Sequence, residues 1–193
     1  MEEFYSLQGE GFYTGQAAYF LRIGGCDVGC RWCDVRESWN SCYFQPVPTD
    51  LIVDRAAKCP AGAVVVTGGE PMRYNLDRLC KGLKKNGIKT FLETSGTCPM
   101  SGIWDWICLS PKRECPPLKA ILDLADELKI IIYDQTDFEW AEENASLSNP
   151  ASRLYLQPEW SNRLTMMPMI VNYIKDHPKW KISLQSHKYI GIP

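Results

Sequence analysis

Short runs of apolar and β-branched residues recur along the chain, and between most of them apolar residues return at helical spacing. The runs predict strands over Ala18–Ile23, Ala63–Thr67, Lys89–Glu93, Trp106–Leu109, Leu128–Tyr133, Arg153–Leu156 and Lys181–Leu184. The helical spacing predicts helices over Thr49–Lys58, Leu76–Lys85, Pro117–Leu124 and Phe138–Asn144, with a longer one near Asn162–Asp176. Thr49 and Asn75 stand where side-chain caps belong. Such alternation argues for a mainly parallel α/β sheet with right-handed crossovers. Cys42–Pro48, which holds two prolines, should be irregular. No repeat, low-complexity stretch or linker interrupts the pattern.

The unusual residues fall after the strands. A cysteine-rich loop follows the first, Gly68-Gly69-Glu70-Pro71 the second and Thr94-Ser95-Gly96-Thr97 the third. Ser110-Pro111-Lys112, Asp134 and Gln157-Pro158-Glu159 follow the next three. Each alone is ordinary turn chemistry. In a parallel sheet or barrel, however, all of them emerge at one end, where ligands bind. At 193 residues the chain is one domain's length and falls short of the roughly 250 of a closed eight-stranded α/β barrel. An incomplete barrel of about six parallel strands, over one domain spanning 1–193, is the expectation.

Composition narrows the class of function. The chain carries 21 Lys+Arg against 23 Asp+Glu, a formal charge of -2, so no broad basic footprint for nucleic acid is present. No apolar run approaches the roughly 18 residues of a membrane span, and the start is acidic where a secretory signal would be basic. A cytoplasmic protein without a membrane or nucleic-acid partner is expected. Histidine is confined to His177 and His187, which disfavours histidine acid–base chemistry.

Cysteine is the outlier, with nine in the chain and Cys26, Cys30 and Cys33 crowded into one short loop. In a reducing compartment, grouped cysteines bind metal or do chemistry more often than they form disulfides. Three thiolates are soft ligands for an iron–sulfur cluster or for zinc. Structural zinc wants four ligands, commonly two Cys-x2-Cys pairs, and the chain has no second pair. Cys42 could be a fourth ligand but stands alone. Three thiolates on a four-iron cluster would leave one iron open. The remaining cysteines read as small buried hydrophobes or surface thiols.

The triplet spacing resembles that of the radical S-adenosylmethionine superfamily, and Gly68-Gly69-Glu70-Pro71 resembles that superfamily's glycine-rich segment. The resemblance implies a partial barrel, a [4Fe-4S] cluster on Cys26, Cys30 and Cys33, and S-adenosylmethionine cleaved to a 5′-deoxyadenosyl radical. A narrower likeness covers essentially the whole chain. Phe4-Tyr5-Ser6-Leu7-Gln8-Gly9-Glu10-Gly11, Phe20-Leu21-Arg22-Ile23-Gly24-Gly25-Cys26, Cys33-Asp34, Trp39, Glu93-Thr94-Ser95-Gly96 and Gly191-Ile192-Pro193 are similar to the 7-carboxy-7-deazaguanine synthase family. That family contracts 6-carboxy-5,6,7,8-tetrahydropterin with loss of ammonia, on the path to queuosine and related bases, as a homodimer. An electron donor such as flavodoxin is implied.

Position by position, the resemblance places the pterin against Leu7, Gln8, Gly9, Arg22, Thr67 and Pro193. It places the adenosylmethionine against Trp32, Cys33, Asp34, Gly69, Ser110, Pro111, Lys112 and Gln157. Arg22 offers a planar fork of donors suited to a carboxylate, or is a strand-edge surface arginine. Gln8 can present a donor and an acceptor to a pterin edge, or is a turn residue before Gly9. Trp160, Trp180 and Tyr189 read as core or dimer surface rather than cofactor platforms. One position departs from the family: Val35 stands where a Thr or Ser hydroxyl helps hold Mg2+ against the substrate, which puts that ion in doubt. Two alternatives remain open. One is another radical S-adenosylmethionine enzyme, such as an activase that makes a glycyl radical; the other is a zinc-stabilised module without catalysis.

Overall fold

A computed structural model describes residues 1–193. Eight strands form one sheet in the order β1-β2-β3-β4-β5-β6-β7-β8. They are β1 (Glu2–Leu7), β2 (Ala17–Ile23), β3 (Ala63–Gly68), β4 (Lys89–Thr94), β5 (Trp106–Leu109), β6 (Glu127–Ile132), β7 (Arg153–Pro158) and β8 (Trp180–Ile182). From β2 to β8 every neighbouring pair is parallel, while β1 runs antiparallel to β2 with Glu2 opposite Arg22. The expectation of about six parallel strands is therefore one short. The sequence reading also missed β1, because its Glu-Glu-Phe-Tyr-Ser-Leu run carries too much charge and exposure to stand out.

The helices are α1 (Thr49–Lys58), α2 (Asp77–Lys85), α3 (Lys119–Leu122), α4 (Asp137–Leu147), α5 (Arg163–Asp176) and α6 (Ser186–Ile190). The cap expectation fails at Thr49, which is the first helical residue behind Pro48 and makes no capping bond. Asn75 does better: its Oδ1 accepts the Asp77 N–H at 3.0 Å, one turn position earlier than a cap would.

Period-two alternation sorts each strand between two environments. Tyr19, Leu21 and Ile23 of β2, Val64 and Val66 of β3 and Leu92 of β4 join Val53, Leu79 and Leu83 of α1 and α2 in one apolar layer. Leu128, Ile130 and Ile132 of β6 and Leu156 of β7 pack on α3, α4 and α5 in a second, with Trp180. Truncating a fully buried member such as Leu83 to Ala would cost about 2–5 kcal/mol. The alternate residues face away from the helices. Ala18, Phe20, Ala63, Val65 and Phe91 form a small apolar plug there with Tyr13 and Trp106. Further along the same strands, toward their C-terminal ends, Arg22, Thr67, Glu93, Lys129 and Gln157 continue that inner face as a polar wall.

The sheet does not close, since β1 and β8 are its two edges. The gap is bridged by the chain's last segment. Ser186 donates to the Gly9 carbonyl from both its N–H (2.9 Å) and its hydroxyl (2.8 Å), and Gly11 N–H donates to Ser183 Oγ at 2.9 Å. Gly9 is required by this approach: a Cβ there would lie 2.1 Å from the His187 ring.

Candidate active site

One cavity of about 280 Å³ opens at the C-terminal ends of the strands. The cysteine loop forms one wall. Its backbone is tied down by Gly25 N–H to Ser38 O (2.6 Å) and Cys26 N–H to Trp39 O (3.1 Å). The glycine segment after β3 locks onto it, with Gly69 N–H donating to Ile23 O and Glu70 N–H to Gly25 O, both at 2.8 Å. A Cβ on Gly69 would sit 2.4 Å from the Gly25 carbonyl oxygen, so only glycine permits this docking. Glu70 turns the other way and is almost fully buried. It accepts from Met72 N–H (3.0 Å), Thr94 Oγ1 (2.6 Å), Ser95 N–H (2.8 Å) and the Ser95 hydroxyl, which joins β3 to the β4 loop.

Cys26, Cys30 and Cys33 are all free and all line the cavity. Burial pushes the Cys26 thiol up and the Cys30 thiol to about 11, so metal must displace protons to bind them. No three His, Cys, Asp or Glu side chains converge on a single-ion position. A four-iron cluster instead takes each thiolate on a different iron, which fits this donor set. Trp39 Nε1 donates to Cys33 Sγ at 3.3 Å, and a hydrogen bond to a cluster sulfur ligand tunes its potential. Cys42 is exposed and outside the cavity.

Leu7, Gly9, Arg22, Trp32, Asp34, Gly69, Thr67, Ser110, Lys112, Gln157 and Pro193 line the same cavity. Two of the residues expected at the site do not. Pro111 is buried behind the wall, and Gln8 is turned aside, its Nε2 donating to Glu93 Oε1 (3.1 Å) and its Oε1 accepting the Glu10 N–H (3.2 Å). Lys112 Nζ donates to Ser110 O (2.7 Å) and Oγ (2.6 Å), lies 5.5 Å from the centre of the Trp32 ring, and has its pKa lowered by burial. Arg22 Nη1 is paired with Glu2 at 2.5 Å, which holds the guanidinium over Phe4 at the cavity's edge. Pro193 O accepts from Ser6 Oγ at 3.0 Å.

The wall also contains groups that motif reading passed over. Lys129, 4% exposed, donates to Glu10 Oε2 (2.6 Å) and Glu93 Oε2 (2.9 Å). Burial alone would lower the Lys129 pKa and raise that of Glu10. The surrounding Cys108, Glu10, Glu93 and Glu127 overturn the first and the Lys129 charge the second, so Lys129 goes well above its ordinary value and Glu10 falls to about 2. The one available signal was Lys129 itself, a charge inside the apolar run Leu128–Ile132. His187 is in the wall too, with burial lowering its pKa, so one of the two histidines does reach the site. Trp160 likewise lines the cavity, whereas Trp180 is core as expected.

A partial parallel barrel with three cysteines and a glycine-tipped strand converging on one cavity defines a radical S-adenosylmethionine enzyme. The Radical SAM superfamily model matches residues 21–113. Full-length relatives narrow this: a 7-carboxy-7-deazaguanine synthase of Flavobacterium psychrophilum is 52% identical, over 100% of this chain and 91% of that one. Another, from Synechocystis, is 47% identical over 99% and 91%. The crystal structure of QueE from Escherichia coli superposes with a TM-score of 0.84 at 30% identity, over 96% of this chain and 92% of that one. The chain belongs to the 7-carboxy-7-deazaguanine synthase family, radical S-adenosylmethionine enzymes of 7-deazapurine biosynthesis. Membership implies a [4Fe-4S] cluster and S-adenosylmethionine.

Proposed function

We propose that this protein converts 6-carboxy-5,6,7,8-tetrahydropterin to 7-carboxy-7-deazaguanine with loss of ammonia. The observation that carries the reading is the sharing of one cavity by the cysteine loop and by Arg22, Thr67, Lys129 and Pro193. Cys26, Cys30 and Cys33 hold the cluster, and with adenosylmethionine it supplies the one-electron chemistry. Trp32, Asp34, Gly69, Ser110, Lys112 and Gln157 hold the cofactor, with Pro111 setting the loop behind them. Gly69 leaves its backbone open to a polar group, and Lys112 offers a fixed positive charge beside the Trp32 face.

The pterin lies against Leu7, Gly9, Arg22, Thr67 and Pro193. Arg22 takes its carboxylate through the guanidinium edge not used by Glu2. Gln8 contributes through Glu93, whose carboxylate it orients. The Glu10–Lys129–Glu93 triad presents fixed charge to the ring nitrogens. The whole chain acts as one domain. The protein works as a homodimer in the cytoplasm, receiving electrons from a donor such as flavodoxin, without nucleic-acid or membrane partners; no helix is long and apolar enough to cross a membrane.

The test is anaerobic incubation of the reconstituted protein with pterin, adenosylmethionine and reductant. Carboxy-deazaguanine should form while adenosylmethionine is not consumed in proportion. Cofactor cleavage without product would overturn the reading and favour the activase alternative.

A further inference from the structure

Asp34 and Val35 both line the cavity where the cysteine loop meets α6. Family resemblance puts a magnesium ion here, and that ion needs about six oxygen ligands in near-octahedral array. Val35 offers no side-chain oxygen. Asp34 is already engaged: its Oδ2 accepts from Lys188 Nζ at 2.8 Å and from Gln185 Nε2 at 3.4 Å. With no oxygen from Val35 and the Asp34 carboxylate taken up by two side-chain donors, the residues present do not fit the ion.

The ammonium beside Asp34 is half-buried, while the carboxylate it meets is exposed. The Lys188 side chain is 22% exposed and lies 5.1 Å from the centre of the Trp160 ring, itself part of the cavity wall. Gln185, on the same terminal segment, also donates to Glu10 Oε1 at 2.9 Å, and Glu10 pairs with Lys129. Asp34 is thus one end of a network that already neutralises it. A divalent ion at this carboxylate would have to displace a cation held in hydrogen-bond contact.

We propose that Lys188 takes the place of a divalent cation beside Asp34, so that this protein binds its substrate and turns over without magnesium. The proposal rests on the reading of the cavity as a pterin site. Lys188 is outside the cavity wall and acts through Asp34, as a positioning residue. Its charge keeps the carboxylate from repelling an anionic substrate and ties α6 to the cysteine loop.

The experiment uses reconstituted enzyme with pterin and adenosylmethionine. Manganese(II) serves as a paramagnetic stand-in for magnesium, with reductant withheld, and electron paramagnetic resonance reports the free ion. The wild type should leave manganese free, whereas Val35→Thr/Lys188→Met should bind it about tenfold more tightly or better. With reductant added, chelation should leave the wild-type rate within about twofold, and Lys188→Met should raise the pterin KM about tenfold. Lys188→Arg should keep both the KM and the independence from magnesium. Stoichiometric manganese binding by the wild type, a steep saturable magnesium requirement, or an unchanged pterin KM in Lys188→Met would overturn the proposal. A wild type that makes no carboxy-deazaguanine overturns the functional reading instead, and the manganese titration still decides this one.

Discussion

The two sides of the cavity are built by different means. On the β2–β4 side, the cysteine loop and the Gly68-Gly69-Glu70 segment are held by backbone hydrogen bonds and by an approach that only glycine allows. Their partners lie in two short stretches of chain. On the opposite side, the wall is a set of side-chain pairs between distant positions. Lys129 and Glu10 are 119 residues apart, Lys188 and Asp34 154, and Gln185 and Glu10 175. Backbone docking fixes the metal loop through uncharged peptide groups. Paired charges give the substrate side its polarity, at the risk that losing one partner leaves another buried and unpaired.

The contrast also explains what was legible in the sequence. Local geometry writes itself as local pattern, so the triplet, the glycines after β3, Ser110 and Lys112 could be read directly and do meet at one cavity. The strands of the parallel core were legible for the same reason, as apolar runs buried on one face or both. The pairs across the cavity leave no such trace. Glu10 and Glu93 belong to stretches that could be matched to the family, yet nothing adjacent reveals Lys129 as their common partner. His187 and Lys188 sit on, and Gln185 just before, a five-residue helix whose exposure gave no periodic signal. Gln8 shows the opposite failure: its motif was visible, but the fold spends its amide on Glu93 rather than on the cavity.

The largest expected effects fall on the backbone-built side. Replacing Cys26, Cys30 or Cys33 singly with Ala should abolish both cluster absorbance and turnover, while Cys42→Ala leaves the cluster intact. Gly69→Val should remove the cluster almost as completely, because its side chain must displace the Gly25 carbonyl. A Gly69→Val protein with full iron and sulfide content would show that the close approach is not what seats the loop.

The next effect belongs to the ion-paired side. Lys129→Met leaves Glu10 and Glu93 facing each other without a cation, and should destabilise the fold by about 3–5 kcal/mol. Denaturant unfolding measures it. A loss below about 1 kcal/mol would mean that the triad behaves like an exposed pair.

Glu10 makes the same side acid-sensitive. Its ordinary value is near 4.5, and in the fold it lies at about 2 because the Lys129 charge and hydrogen bonds outweigh burial. The unfolded chain therefore takes up the proton first. This carboxylate's stabilisation is full above about pH 4.5 and is lost as pH falls toward 2, on the order of 3 kcal/mol. Glu10→Gln should flatten unfolding stability over that window relative to the wild type. Parallel pH curves for the two proteins would remove Glu10 from the account.

The smallest effect concerns the terminal segment, where the substrate side meets β1. Ser6 donates to Pro193 O at 3.0 Å across an exposed edge, and such a bond contributes at most about 0.5–1.5 kcal/mol. The segment has a second tether, Ile192 N–H to His187 O at 3.1 Å, made possible by Gly191 ending α6 in the left-handed region with φ 68°. Ser6→Ala should therefore lower stability by less than about 0.5 kcal/mol, since the second tether remains and water replaces the first. Pro193 nevertheless lines the cavity, so on the proposed arrangement a looser terminus should be felt by the pterin and not by the cofactor. The expected outcome is a pterin KM raised about two- to fivefold with the adenosylmethionine KM unchanged, an energetic difference of under about 1 kcal/mol. Equal changes in both constants would mean that the tail acts on the cavity as a whole, and no change in either would return it to the frayed state usual for termini.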